Sequence, residues 1–254
     1  YRLARDLVSA GSRSEADALM RAMVNRQPGD ADRVYAYGLY LSGNNQDEMA
    51  LAQINALPQG QWTDNIRELE ARLQSDRILR QANQLRDSGQ EAQAIALIKQ
   101  QPTSVRYALT LADWAQQRGD SQTAIAEYQR VLGQQPDNGD ARLGLAEVYL
   151  ADGDKNAARA QVAQLKGEDI DSINMQRRIA LAQAGLGDRV QAQQTFARIV
   201  PQAKAQPPSM ESALVLRDAA RFQAQNGEPQ QALEGYKDAM VASGVTRERP
   251  QDND

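Results

Sequence analysis

Glu168, Asp169 and Asp171 lie close enough along the chain to act as a pair of carboxylates. Such a pair is the usual equipment for cleaving a glycosidic bond: one acid protonates the leaving oxygen while the other attacks or activates water. The group falls between two helical segments, where acids favour a helix start, and nothing around it implies a cleft that would distort a sugar. Cysteine and histidine are both absent. That removes thiolate nucleophiles, disulfides and the commonest zinc ligands, and also the side chain best suited to moving protons near neutral pH. Gly185-Leu186-Gly187-Asp188 lacks the rest of a G-x-G-x-x-G phosphate loop and reads as a helix end. The sequence is therefore expected to be non-enzymatic, with no cofactor and no metal.

Binding chemistry remains. Arginine can hold a carboxylate through two parallel hydrogen bonds, and an indole face can stack on a glucose ring. Trp62 and Trp114 are the two tryptophans. Trp114 has two readings, core filling and stacking on a glucan. Trp62 stands where it can staple the start of a long helix.

These side chains must be positioned by helices. Apolar residues make up 41% of the 254 and aromatics only 5%, and the apolar share is mostly Ala and Leu. Strand-favouring residues are sparse, and thin helical layers can be sealed by Ala and Leu. Gly119-Asp120, Gly153-Asp154 and Gly187-Asp188 recur at 34 residues, twice in succession. Around each turn sit alanines at fixed offsets: Ala112 and Ala124, Ala146 and Ala158, Ala180 and Ala192. A bulky residue follows in each unit: Tyr128, Val162, Phe196. This spacing predicts pairs of amphipathic helices. The Gly takes a left-handed conformation that closes the first helix, the Asp caps the second, and the alanines sit where backbones come close. Pro136 ends a second helix.

The pattern resembles the tetratricopeptide repeat, although the usual first Trp is replaced by Ala108, Arg142 and Gln176. The resemblance implies an all-α solenoid, a right-handed superhelix of helix-turn-helix hairpins. With slips, the phase extends to Gly227, Ala232 and Tyr236 after an insertion holding Pro207-Pro208, and back to Gly89, Ala94 and Ile98 before Pro102. Tyr37-Gly38, Leu41, Ala50, Ile54 and Pro58 form another unit; Leu3-Ala4, Leu7, Gly11, Ala16 and Met20, closed by Pro28, form a truncated opening one. The expected organisation is N-terminal repeats at 1–63, a long helix near 64–88 within a 64–104 stretch, regular repeats at 105–204, a final repeat at 205–243 and a polar linker at 244–254. The long helix reads as a hinge or as a plain connector. Some members of the repeat family clamp a peptide carboxylate with a Lys/Asn/Arg set, which the equivalent positions here do not supply.

The first helix of each hairpin lines the concave face of such a stack. Counted from the phase, that face carries Arg106, Leu109, Asp113 and Gln117, then Asp140, Leu143 and Glu147, then Asn174, Arg177 and Arg178, then Arg217, Asp218 and Arg221. They are candidate contacts for a partner, weighed against the plain reading of a solvated helix face.

Three segments carry a closer likeness: Leu109-Thr110-Leu111-Ala112-Asp113-Trp114-Ala115, the stretch from Pro201 to Ala213, and the end from Tyr236 through Arg249-Pro250-Gln251-Asp252-Asn253-Asp254. Together they are similar to the periplasmic tetratricopeptide-repeat region of the enterobacterial cellulose synthase family of outer-membrane cellulose export proteins. The likeness implies a periplasmic scaffold with other cellulose secretion components as partners, and residues 244–254 as an approach to an outer-membrane barrel. Peptidoglycan or cellulose are further implied partners, and guiding the glucan along the solenoid is the alternative role. Net charge is −4 with acids and bases mixed, which argues against nucleic acid. No apolar run approaches the roughly 20 residues that cross a bilayer. Tyr1 to Asp6 carry charge through what would be the apolar core of a signal peptide, so the sequence reads as a segment of a longer chain.

Overall fold

The computed structural model describes residues 12–167 and 170–244. Among the described residues there are thirteen α-helices and no strand. The chain divides into two compact units, residues 1–102 and 103–254.

In the first unit, α1 (Arg13–Arg26) buries Ala16, Met20 and Val24, residues of the expected opening repeat. The rest of that repeat, Leu3 to Gly11, lies outside the described residues, as does the expected linker from Val245 to Asp254. A hairpin follows, α2 (Ala31–Gly43) and α3 (Asp47–Ala56). Its turn is closed by Asn45 at φ 60°, since asparagine is one of the few side chains that tolerate the left-handed region. A 3-10 turn at Gln59–Gln61 leads to α4 (Asp64–Asp87), which runs for 24 residues. Thr63 caps it, accepting from the Ile66 amide at 3.3 Å. Trp62 packs on the unit's core and donates to the Leu57 carbonyl at 2.8 Å, fixing the approach to the helix. The length of α4 comes from serving two partners. Ile66, Leu69 and Leu73 join the core formed with α2 and α3, while the later turns, with Leu79 and Ala82 buried, pair with α5 (Glu91–Lys99).

The second unit is built of four hairpins: α6 (Val105–Gln117) with α7 (Ser121–Gln134), α8 (Gly139–Ala151) with α9 (Lys155–Val162), α10 (Ile173–Gly185) with α11 (Arg189–Ala205), and α12 (Met210–Gln225) with α13 (Pro229–Ala242). First helices pack on first helices, α6 on α8, α8 on α10 and α10 on α12. The turn glycines Gly119, Gly153, Gly187 and Gly227 all have φ between 78° and 83°, the region where a Cβ is penalised. The repeated alanines Ala112, Ala124, Ala146, Ala158, Ala180 and Ala192 are all fully buried, and Ala232 nearly so. Methyl-sized side chains at these points let the helices approach without leaving voids.

Three expectations are corrected here. Asp120 and Asp154 cap α7 and α9 through the amides of Thr123 and Ala157, but Asp188 makes no cap bond; Arg159 takes its carboxylate instead, at 3.3 Å. The cap of α10 is Ser172, which accepts from the Met175 amide at 3.1 Å. Asp171 stands exposed one residue before that cap, and Glu168 and Asp169 lie outside the described residues. Tyr236 does not fill a gap as Tyr128 and Phe196 do. It is 37% exposed, since among the described residues no further hairpin stacks on α13.

The insertion before the last hairpin also takes a definite form. α11 runs on to Ala205 with Pro201 inside it, so the extra residues are partly an extra helical turn. Pro207-Pro208 then break the chain before Ser209 caps α12, accepting from the Ser212 amide at 3.1 Å.

Candidate interaction face

The first helices of the second unit bring two groups of polar side chains together. The first begins at Tyr128, whose ring is fully buried in α7. Its hydroxyl reaches the α6 residues Asp113, at 2.6 Å from Oδ1, and Gln116, at 2.8 Å from Oε1. Gly144 of α8 makes this reach feasible, since a Cβ there would stand 2.3 Å from the Tyr128 Cζ. Gln116 in turn donates to Glu147 of α8 at 3.3 Å. Glu147 is held bidentately by Arg178 of α10, with Nε to Oε2 at 3.1 Å and Nη2 on Oε1.

Electrostatics follow from this crowding. Asp113 keeps an exposed edge, yet loss of water around its carboxyl raises its pKa, with Asp140 and Glu147 pushing the same way while Tyr128 and Arg178 oppose. Burial, then the bond to Asp113, raises the Tyr128 hydroxyl. For Arg178 burial works against the charge, but the bond to Glu147 outweighs it and the group is raised.

The second group centres on Asp218 of α12, whose side chain is 2% exposed. Arg177 of α10 donates to its Oδ2 at 2.9 Å, and Arg217 donates to its Oδ1 from Nε at 3.1 Å and Nη2 at 3.0 Å. Arg177 also donates to Asn174 at 2.9 Å. Two guanidiniums share one carboxylate, so the group holds a positive charge in excess. Arg217 is partly open to solvent and Arg221, one turn on, is exposed.

Of the residues placed on this face from the sequence, Arg106, Asp113, Gln117, Asp140, Asn174, Arg217 and Arg221 are exposed, and Glu147, Arg177 and Arg178 are half-buried. Leu143 and Asp218 are not available: Leu143 is fully buried with Met175 and Ile179, and Asp218 is the hidden anchor of the arginines. Burial separates the two readings of Trp114. The residue is 4% exposed, so no ring face is free to stack on a sugar, and core filling is its role. Gln116 and Gly144 escaped sequence reading, and Tyr128 was legible only as a gap filler. A glycine in the middle of a first helix, where the neighbouring repeats carry Thr110 and Arg178, was the available signal. The arrangement can hold charged groups in fixed places. Among the described residues, no group of acids is placed to bind a metal ion.

These hairpins and their seams define the chain as an α-solenoid of the tetratricopeptide-repeat class. A tetratricopeptide-repeat family model matches residues 115–181. A thermophilic TPR protein of Thermus thermophilus has the same fold, with TM-score 0.55, 18% identity, and coverage of 66% of this chain and 91% of that one. Within that class the likeness is narrow. The chain is 63% identical over all of its 254 residues to cellulose synthase operon protein C of Salmonella typhimurium, and 62% identical to that of Escherichia coli K12. It spans 22% of the length of each. The similarity expected from three segments thus holds along the whole chain.

Proposed function

We propose that this segment is a non-catalytic scaffold in a cellulose secretion system, and that it acts in the periplasm. Its first-helix face in the second unit would hold other protein components, linking glucan synthesis at the inner membrane to an outer-membrane pore. The observation that carries the reading is the Asp218 group. A buried carboxylate, held from α10 by Arg177, pre-orders Arg217, so a partner carboxylate meets a guanidinium whose rotamer is already restrained. The relatives' name supplies the pathway, and the fold supplies an extended surface of the kind that repeat stacks offer. Guiding of the glucan has lost its best support with the burial of Trp114.

The test is a pull-down with this chain against the other cellulose synthase components, peptidoglycan and cellulose. Capture of a synthase component, lost in Arg217→Glu/Arg221→Glu while the helical content stays unchanged, is the expected result. Binding to cellulose or peptidoglycan alone would overturn the ranking in favour of polymer contact.

A further inference from the structure

Three oxygens meet between α6 and α7, and their protons do not add up if the acid among them is ionised. The Tyr128 hydroxyl stands 2.6 Å from Asp113 Oδ1 and 2.8 Å from Gln116 Oε1. Both spacings are those of O–H···O hydrogen bonds, so each contact needs a proton between its oxygens. Tyr128 has one proton to give, and an amide oxygen has none. Turning the Gln116 amide over would offer Tyr128 a donor. It would also set the amide oxygen about where Nε2 now donates, 3.3 Å from Glu147 Oε1. Glu147 is held in place by two nitrogens of Arg178, so that acceptor does not turn away. The second proton must then come from Asp113.

We infer that Asp113 is a proton site read by the seam between the first two hairpins of this unit. Its carboxyl donates to the Tyr128 oxygen, Tyr128 donates to Gln116 Oε1, and Gln116 Nε2 donates to Glu147, which Arg178 holds. The chain of bonds has one direction, from α6 by way of α7 to α8 and α10, and the Asp113 proton sets it. The surroundings favour that proton. Asp140 and Glu147 of α8 oppose a further negative charge and Arg178 of α10 favours one, while the loss of water tips the balance towards the neutral acid. An ionised Asp113 draws the Tyr128 proton to itself. Gln116 Oε1 then faces a hydroxyl with no proton to share, so the amide turns over or withdraws and its bond to Glu147 is lost. Acid keeps the seam tied at this point, and rising pH loosens it.

The test is a pH titration of the whole chain by NMR, following the Asp113 carboxyl carbon and the Gln116 side-chain amide. Asp113 should titrate above the ordinary carboxylate range, and the Gln116 amide should shift with the same midpoint. Asp113→Asn gives Tyr128 a permanent donor, so it should hold the Gln116 amide at its acid position at every pH. Gln116→Leu should lower the Asp113 midpoint by about 0.5–1 pH unit, the worth of one neutral hydrogen bond, since Tyr128 is then free to donate to the carboxylate. Leucine makes the surroundings less polar, which alone would raise the midpoint, so the sign is diagnostic. A midpoint unchanged or raised in Gln116→Leu would overturn the inference. So would a Gln116 amide that ignores the Asp113 titration, or one that still shifts over the same range in Asp113→Asn.

Discussion

Tyr128 shows how one side chain can serve both the core and the interaction face. Its ring fills the seam between α7 and α8, while its hydroxyl is satisfied on α6. The arrangement depends on Gly144. Gly144→Ala should cost about 1–3 kcal/mol, because the ring must leave its place. Gly133→Ala, in a spot with nothing within 4 Å, should instead stabilise by about 0.5–1 kcal/mol. Urea midpoints of the two variants check the contrast. Asp113 offers a second reading at this scale. Its carboxyl is raised in the folded state, so folding favours its protonated form. That contribution is fully present below the ordinary carboxylate range and is lost as pH rises through the raised value. Asp113→Asn should therefore remove this one group's contribution to the pH dependence, a loss of stability as pH rises from acid towards neutral. An unchanged slope would show that the carboxyl titrates normally.

Helix pairs repeat the same economy with different residues. Each turn of the second unit uses a left-handed glycine, each seam a pair of buried alanines, and α7 and α11 each a large residue turned to the next hairpin. Ala158 is fully buried in the short α9, and Ala158→Trp should overpack its hairpin by about 1–3 kcal/mol or more. A variant that melts like the parent would mean that the position does not face the α8 seam. α4 departs from the hairpin length because it serves two partners in sequence. The turn at Asn45 does the work of a glycine through a residue type that sequence patterns treat as weaker.

At the scale of the molecule, a repeat stack is held by nearest neighbours. Damage should therefore stay local. In Ala158→Trp, amide exchange is expected to rise in α8 and α9 and the hairpins touching them, while α2, α3 and the first half of α4 keep their protection. A uniform rise across the first unit would show that the two units unfold as one. We retain as a proposal that the stretch 64–104 is a hinge. Solution scattering that fits one fixed arrangement would count against it.

The sequence by itself determined the hairpin plan of the chain. A 34-residue phase, glycines at turns and alanines at seams are local requirements of backbone geometry, and they must be met by residue type at each position. It also determined the length of α4, since no breaker interrupts the apolar spacing between Asn65 and Ser88. What only the tertiary structure decided was which polar residues on a helix face are free and which are bound. Asp113 and Asp218 look alike as acids on first helices, yet one keeps an exposed edge and the other lies under two arginines, one of them from a neighbouring helix. Trp114 is covered and Tyr236 is open for the same reason: burial depends on what stacks above a residue, and neither periodicity nor composition records the neighbour.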